Sequence, residues 1–156
     1  MVVIENKNAL GNYEILERFI AGIELKGFEV KSLFSGRGSL KGSYVSYKGK
    51  ELFLKNFYLP PYQEKNVDKN YDPLRDRRLL LTRREINYLL SKIRQPGLTI
   101  VPLKIYNKKR LIKIEIALVK GLKKFEKREK IKKKEFQREK ERFLKREFLK
   151  KNNDKK

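Results

Sequence analysis

The sequence predicts a mainly β protein, built as a small antiparallel barrel with about three helices and a basic C-terminal tail. Three observations predict this class. Two segments have the alternating pattern of β-hairpins. Apolar residues at helical spacing lie between them. The last quarter of the chain is almost continuous charge, which cannot form a core of its own.

The first strand is predicted over residues 13–25, where β-branched and aromatic residues partly alternate with polar ones. Gly27 ends it. Residues 28–34 are predicted as a short helix with Val30, Leu33 and Phe34 on one face. The helix is expected to stop at the glycines of residues 36–38.

The first hairpin pairs residues 44–47 with residues 51–54 across the turn 48–50. Its second strand is expected to continue through 57–59 until two prolines stop it. Residues 63–72 are polar and predict a loop.

A helical segment is predicted next. Asp72-Pro73 favours a helix start, with the aspartate as cap and the proline in the first position. Apolar residues follow at helical spacing up to Ile93. Thr82 and Glu85 have the spacing of a capping box, which allows two short helices instead of one.

The second hairpin pairs residues 98–106 with 111–119 across the turn 107–110. Ile112, Ile114, Ile116 and Leu118 alternate with polar residues, which predicts one buried and one wet face. Pro102 predicts an edge or a bulge. Five or six strands with interposed helices together predict a closed barrel of the oligonucleotide-binding (OB-like) type, with about six strands.

The net charge of +22 in 156 residues predicts an anionic partner, either nucleic acid or an anionic membrane. No apolar run is long enough to span a bilayer, so the chain is expected to be cytoplasmic. The absence of Cys and His removes the usual metal ligands and the commonest general base. These absences favour a binding protein with no cofactor, no metal and no catalytic activity. A biased genome would explain part of the lysine excess, but not its concentration in the tail.

The tail is taken to begin at residue 120, after a body over residues 1–119. It holds 18 Lys/Arg and 7 Asp/Glu, a net charge of +11. Four Glu–Lys pairs at i,i+4 spacing favour helix by ~0.2–0.5 kcal/mol each. That gain competes with the entropy of ordering roughly 30 residues. The tail is therefore expected to be disordered until it binds, with a stable solvated helix or a coiled-coil arm as the alternatives.

Six segments form a recognisable series in the order NKNA (6–9), AGIELKGFEVKSL (21–33), DPLRDRRLLL (72–81), REIN (84–87), VPLK with Tyr106 (101–106) and KGLKKFEKRE (120–129). Together they resemble the SsrA-binding protein family (SmpB, small protein B), the partner of transfer-messenger RNA. The resemblance runs from about residue 6 to residue 140.

The resemblance implies a β-barrel body that binds the transfer-RNA-like domain of transfer-messenger RNA. It implies that the pair enters a stalled ribosome for trans-translation, or ribosome rescue, while the tail probes the empty mRNA channel beside small-subunit rRNA. The chain is expected to act as a monomer, without a membrane partner.

Three residues depart from the family pattern. Ile20 stands where the family commonly has a glutamate that matters for RNA binding. Phe125 replaces His or Tyr, which keeps a ring for stacking but loses an imidazole hydrogen bond. Glu126 replaces Asp and keeps the charge.

The candidate RNA-binding residues follow from these segments and from the positions of the basic residues. Those of the body are Asn6, Lys7, Gly22, Glu29, Lys31, Arg37, Arg75, Arg77, Arg78 and Leu80. Those of the tail, directed to the ribosome, are Lys120, Gly121, Lys123, Lys124, Phe125, Lys127, Arg128, Lys132, Lys133, Lys134 and Arg138.

Several of the basic, acidic and aromatic residues have a structural alternative. The arginines of residues 75–78 can grip phosphates or stack on bases, or they can form a solvated helix face paired with Asp72 and Asp76. Glu29 beside Lys31 is either a catalytic pair or a surface ion pair. Four aromatics are either a stacking platform for bases or core residues, namely Tyr44, Tyr47, Phe53 and Phe57.

Two other functional classes compete with the family hypothesis. One is a ribosomal protein, or another structural rRNA-binding protein, with a basic extension threaded into rRNA. The other is an RNA-processing enzyme that holds Mg²⁺ with Glu29 or with Asp72 and Asp76. No spaced acidic cluster supports the second.

Overall fold

The computed structural model describes residues 2–7, 9–62, 69–121 and 134–148. The chain forms two compact units, Met1–Gly121 and Leu122–Lys156. The first unit contains seven strands: β1 Val2–Glu5, β2 Tyr13–Ile23, β3 Tyr44–Lys48, β4 Glu51–Lys55, β5 Arg77–Leu80, β6 Leu98–Lys108 and β7 Leu111–Gly121. Its helices are α1 Ala9–Asn12, α2 Gly27–Phe34 and α3 Arg83–Ile93.

The strands close into a ring. Their order is β1-β6-β3-β4-β5-β2-β7, and β7 pairs again with β6, so six strands from β2 to β7 form a closed antiparallel sheet. The seventh, β1, pairs with the far end of β6 around Ile105. The predicted fold class, a small antiparallel barrel with about three helices, is confirmed, with one more strand than predicted.

Both predicted hairpins are present, with tighter turns. Lys48 pairs with Glu51, which leaves a two-residue turn in which Gly49 has φ 63°. The second hairpin extends to Lys108 and Leu111. Its turn therefore contains two residues with positive φ and not the predicted four. The bulge predicted at Pro102 is confirmed, because the β6–β7 register shifts between Pro102 and Lys104.

The prediction of one wet face on β7 is wrong. Ile114, Ile116 and Leu118 face the main core as predicted. Ala117 and Val119, on the opposite face, are also buried. They pack in a second cluster with Val101, Leu103 and Ala9 of α1. The helix between β1 and β2 thus contributes an apolar residue to a face that the local pattern predicted to be solvated.

Two predictions around the middle of the chain are also wrong. Strand β4 ends at Lys55, and only an isolated bridge to Ser39 at Tyr58 continues the pairing. Asp72 does not start a helix, because its carboxylate accepts from the Leu74 amide (2.9 Å) in a turn. Arg77–Leu80 then forms β5, which pairs with β4 and β2.

The predicted helix boundaries hold elsewhere. Thr82 caps α3, and the predicted capping box forms reciprocally between Thr82 and Glu85 at 3.2 Å in both directions. Helix α2 lies where predicted, but its buried residues are Glu29, Ser32 and Leu33. Of the three residues predicted on one face, Leu33 is buried, Val30 is half-buried and Phe34 is 47% exposed.

The second unit contains a helix over residues 134–148, and its described side chains are exposed. Strand β7 includes Lys120 and Gly121, the first two residues of the predicted tail. Disorder of the tail before binding stays a prediction. Within the described ranges, none of the helices has the length and apolar content needed to cross a bilayer.

Candidate RNA interface

A carboxylate lies fully buried in the first unit. Glu29 of α2 has no exposed surface, although charged groups are rarely buried without a partner. Its carboxylate accepts from the Lys26 amide (2.8 Å), from Nε of Arg75 (3.2 Å) and from Nε of Arg77 (2.7 Å). The Nη2 atom of Arg75 forms a further short contact with it. Glu29 is therefore a buried ion-pair residue, and neither a catalytic partner nor a surface partner of Lys31.

Arg77 is the buried cation of this site. All its N–H groups have partners: beyond Glu29, they donate to the carbonyls of Phe57 (2.7 Å), Arg75 (3.1 Å) and Pro73 (3.1 Å) and to the Tyr71 hydroxyl (3.0 Å). A guanidinium with every donor in use and no exposed surface has nothing to offer RNA. Arg77 and Glu29 therefore position the segment 71–78, and they do not contact a ligand in this conformation.

Tyr71 and Arg75 complete what we call the Glu29 network: Glu29, Tyr71, Arg75 and Arg77. The Tyr71 hydroxyl lies within hydrogen-bond distance of the Glu29 carboxylate (3.0 Å) and the Leu59 carbonyl (2.8 Å). Its ring meets Phe28 edge to face, with ring centroids 4.8 Å apart. Arg75 is the charged member with an exposed side, since a quarter of its side chain reaches solvent. It alone can extend the network's charge to RNA.

The network predicts how stability depends on pH. Burial opposes ionisation of Glu29, but Arg75, the Lys26 amide and Arg77 outweigh it and hold the Glu29 pKa below its usual 4.5. The contribution of ionised Glu29 to the free energy of unfolding is present above pH 4.5 and is lost as the pH falls through the lowered pKa. Burial raises the pKa of Tyr71 to about 12. The stability that the neutral Tyr71 hydroxyl contributes is therefore present below pH 10 and is lost as the pH rises toward 12.

Urea unfolding of the full chain at a series of pH values tests this dependence. The free energy of unfolding is expected to fall below pH 4.5 and again above pH 10. Tyr71→Phe should weaken the alkaline fall and leave the acidic fall in place. An alkaline fall of unchanged size in that variant would contradict the assignment to Tyr71.

A shallow groove lies where β2, β5 and the start of α3 meet, with a volume of about 530 Å³. We call it the β2–β5 groove. Gly22 pairs with Leu80 across its floor, and a Cβ on Gly22 would lie 3.2 Å from the Leu80 Cβ. Leu80 and Ile20 are exposed large apolar residues at the groove. Lys113 and Arg78 supply positive charge. Apolar surface flanked by cations suits a base with its phosphate.

Two carboxylates hold the arginines at this groove. Arg78 contacts Glu24 (3.3 Å) and Glu51 (3.4 Å), and Arg83 contacts Glu51 (2.8 Å). The hydrogen bond from Arg83 holds the pKa of Glu51 below its usual range. Partial desolvation opposes this effect, and the positive charge of Arg78 adds to it. The structural alternative, pairing of the arginines with Asp72 and Asp76, is wrong, because the Asp76 carboxylate contacts Lys55 (3.8 Å) and the Asp72 carboxylate accepts from the Leu74 amide. The arginines also belong to a turn and a strand, and not to a helix start.

Asn6 and Lys7 lie at a separate place on the body. The Asn6 side chain donates to the Pro102 carbonyl (2.9 Å), and the Asn6 backbone N–H donates to the Leu103 carbonyl (2.8 Å). Lys7 is exposed beside a groove of about 290 Å³ that also includes Lys41. Asn6 thus anchors the segment, and Lys7 is the member of the pair available to a ligand.

The remaining body candidates are exposed but dispersed. Lys31 lies on the outer side of α2. Arg37 donates to the Tyr62 carbonyl (3.1 Å), and its guanidinium lies 5.7 Å from the Tyr62 ring centroid. Phe57 cannot belong to an aromatic platform for bases, because it is fully buried under Arg77, whereas Tyr44 and Tyr47 are exposed and Phe53 is half-buried. Phe57 is a core residue, as the structural alternative held.

The tail candidates divide by position. Lys120 and Gly121 end β7, and Lys134 and Arg138 lie on the helix 134–148. The other tail candidates lie outside the described residues: Lys123, Lys124, Phe125, Lys127, Arg128, Lys132 and Lys133. Their roles stay predictions.

Sequence reasoning missed three participants. The sequence predicts Tyr71 in a loop, Glu51 in a hairpin and Lys113 on the wet face of β7, with no functional role for any of them. A tyrosine just before an arginine-rich turn gave no local signal, because its partner Glu29 is 42 residues away. Charged residues at a strand's polar positions are common, so Lys113 and Glu51 carried no signal of their own.

Comparison with known proteins assigns the family. The family model of the SmpB protein matches residues 3–146 of the chain. The chain belongs to the SmpB family.

Among the described residues, no group of three or more acidic side chains is placed to hold a metal ion.

Relatives in the SmpB family match over nearly their full length. The SsrA-binding protein of Thermosipho africanus is 48% identical over 146 residues, covering 93% of this chain and 97% of that protein. The SsrA-binding protein of Geobacillus thermodenitrificans is 47% identical over 141 residues, covering 90% of each chain.

A solved structure described as "tmRNA-SmpB: a journey to the center of the bacterial ribosome" contains a similar chain. It is 42% identical to this one with a TM-score of 0.66, and the match covers 84% of this chain and 95% of that one. The resemblance predicted from six sequence segments is thereby confirmed for the SmpB family.

Proposed function

We propose that this chain binds the transfer-RNA-like domain of transfer-messenger RNA and delivers it to stalled ribosomes for trans-translation. The observation that carries the proposal is the SmpB family match over residues 3–146. It is supported by relatives named SsrA-binding protein and by the similar chain in a structure of tmRNA-SmpB and the ribosome. The protein acts in the cytoplasm, where ribosomes work, and supplies no catalytic step.

The body holds the RNA by shape and phosphate contacts, as structured RNA is usually recognised. The β2–β5 groove offers the apolar surface of Leu80 beside Arg78. Arg75, Lys31 and Lys7 are exposed elsewhere on the body and offer separate positive charges for phosphate contacts. Ile20, at the groove, gives it an apolar side where the family commonly has glutamate, so this chain relies there on packing and not on a carboxylate hydrogen bond.

The tail supplies the test for an empty message channel. Its charge gives affinity for RNA, and a channel filled by message excludes it by volume and by competing charge. Binding should be strongly salt dependent, with roughly 0.7–0.9 log units lost per neutralised phosphate for each decade of salt.

Direct binding measurements test the proposal. The full chain should bind transfer-messenger RNA tightly. Its affinity for a version without the transfer-RNA-like end should be no higher than its affinity for an unrelated RNA of the same length. Equal affinity for both RNAs, at the same salt concentration, would overturn the proposed recognition.

Filling the β2–β5 groove is expected to weaken this binding. Gly22→Val places two methyl groups against Leu80, which must shift because a Cβ alone would lie 3.2 Å from its Cβ. We expect the affinity for the transfer-RNA-like domain to fall roughly 10-fold, the size of one lost packing contact to a base. The matched control is Gly11→Val, since a Cβ at Gly11 meets nothing within 4 Å. Equal affinities for the two variants would remove the groove from the RNA interface.

A further inference from the structure

The free edge of β1 borders a groove on the body. Strand β1 has β6 as its neighbour in the sheet, and its other edge has no strand partner in the described ranges. A groove of about 290 Å³ lies between residues 4–7 and residues 38–41. We call it the β1 groove. A strand edge beside open space is a template on which a further strand can pair.

The backbone of Glu5 faces away from β6. The next residue, Asn6, donates its N–H to the Leu103 carbonyl of β6 (2.8 Å). Glu5 lies opposite Lys104, one position before that bond. Because successive residues of a strand direct their backbone groups to opposite sides, the N–H and the carbonyl of Glu5 point outward. Glu5 therefore offers one donor and one acceptor at the free edge of β1.

The opposite wall of the groove also has backbone donors to offer. Ser39 exchanges two hydrogen bonds with Tyr58, one of 2.9 Å from the Ser39 N–H and one of 3.2 Å to the Ser39 carbonyl. The N–H groups of the residues on either side, Gly38 and Leu40, therefore point away from Tyr58. Among the residues that the structure describes, neither of these N–H groups donates to a backbone carbonyl. Both walls thus present backbone groups to an extended segment.

Core packing fixes the spacing of the two walls. A Cβ on Gly38 would lie 2.7 Å from Cδ1 of Ile4 and 3.1 Å from the ring of Phe57. Phe57 is fully buried, and Ile4 packs against the main core. The side chain of Ile4 therefore holds β1 against residues 38–41 from below, and the groove above it exists without an occupant.

The charges at the groove favour an acidic peptide over the other occupants. Lys7 and Lys41 are exposed, and in the described part of the chain neither ammonium group forms an ion pair. A second copy of the chain would bring two more lysines to the edge, and lysines beside an edge strand oppose such pairing. RNA would leave the outward carbonyl of Glu5 without a donor from its phosphates and would place them beside the Glu5 carboxylate.

We propose that the β1 groove binds an extended, acidic peptide segment of a partner protein by strand addition. The backbone of the peptide pairs with the outward N–H and carbonyl of Glu5, and its carboxylates contact Lys7 and Lys41. In this mode of recognition, main-chain hydrogen bonds supply the affinity and side chains at alternate positions supply the selectivity. The site is separate from the β2–β5 groove, and the inference does not depend on the proposed function.

Two substitutions of Glu5 in the full chain form a matched pair that tests the proposal. Glu5→Pro and Glu5→Ala remove the same carboxylate, so the two variants have equal net charge, but the proline also removes the outward N–H. A proline is tolerated where the N–H of an edge strand faces solvent, and thermal unfolding checks that both variants fold. The probe is a capped, fluorescent peptide of about eight residues that alternates aspartate with valine, within the usual length of a strand.

The peptide should bind Glu5→Ala at least as tightly as the unmodified chain, because a repelling carboxylate is gone. It should bind Glu5→Pro roughly 10-fold more weakly than Glu5→Ala, as expected when one hydrogen bond is lost and its partner is left unpaired. Lys41→Gln should weaken binding by about threefold, the effect of one exposed ion pair. In the unmodified chain, bound peptide should slow hydrogen exchange of the Glu5 amide.

Three results would overturn the proposal. Equal affinities of Glu5→Pro and Glu5→Ala would show that charge alone attracts the peptide. An equal rate of exchange of the Glu5 amide with and without peptide would exclude strand addition, and this measurement decides if Glu5→Pro does not fold. Binding of a short single-stranded RNA that Lys41→Gln weakens and Glu5→Pro leaves unchanged, at an affinity above that of the peptide, would assign the groove to phosphates.

Discussion

Removal of residues 122–156 is expected to leave binding of the transfer-RNA-like domain nearly intact and to abolish ribosome rescue. The first compact unit ends at Gly121, and its last strand pairs Lys120 with Leu98 and with Glu14. The cut therefore belongs after Gly121, because a cut before Lys120 would remove paired residues of β7. We expect affinity for the transfer-RNA-like domain to change by less than about threefold near 0.15 M salt, where long-range charge effects are screened.

Rescue of ribosomes stalled on a truncated message should fall to background in the same variant. A tail of identical composition in scrambled order is the matched control, since it keeps the charge but not the sequence. The protein with the scrambled tail should regain non-specific affinity for RNA, which depends on charge, but it should not regain ribosome rescue. Loss of transfer-RNA-like domain binding on truncation, or full rescue by the scrambled tail, would contradict the division of labour between body and tail.

Glu29→Gln is expected to destabilise the body by about 3–5 kcal/mol, because it leaves buried Arg77 without its counter-charge. The substitution keeps the shape of the side chain, so the loss reports charge and hydrogen bonding more than packing. Binding of the transfer-RNA-like domain should fall with the folded fraction, since Glu29 itself has no exposed surface.

Urea unfolding near pH 7 measures this effect. The control is Glu24→Gln, which removes an exposed partner of Arg78 and should cost no more than about 1 kcal/mol. If Glu29→Gln and Glu24→Gln unfolded at the same urea concentration, the buried Glu29 network would not contribute more to stability than an exposed ion pair.

Features carried by neighbouring residues could be predicted from the sequence. The two hairpins follow from turn residues and from the alternation of apolar and polar residues, and the α3 capping box from the spacing of Thr82 and Glu85. The bulge at Pro102 follows from the missing backbone N–H of proline. All of these features are present. The family could be predicted as well, because its six segments lie in order along the chain.

Features that depend on distant partners could not be predicted. Arg77–Leu80 has helix-compatible residues, and it becomes a strand because β4 and β2 pair with it on both sides. Glu29 looked like a surface charge because Arg75 and Arg77 lie 46 and 48 residues away. The second apolar cluster on β7 likewise forms with β6 and with Ala9, which precedes β2.

The candidate site shows the same division. The family segments predicted Gly22, Arg78 and Leu80, and the fold brings them together at the β2–β5 groove. The same segments also included Glu29 and Arg77, whose side chains are buried and position residues 71–78. Burial of a charged residue follows from tertiary packing, which a sequence segment does not report.

The most direct measurement is to isolate the protein with its bound RNA from its own cells and to sequence that RNA. We expect one dominant species, with a transfer-RNA-like end and an internal reading frame. Recovery of ribosomal RNA alone, in stoichiometric amounts that persist at high salt, would contradict it and would indicate a structural ribosomal protein.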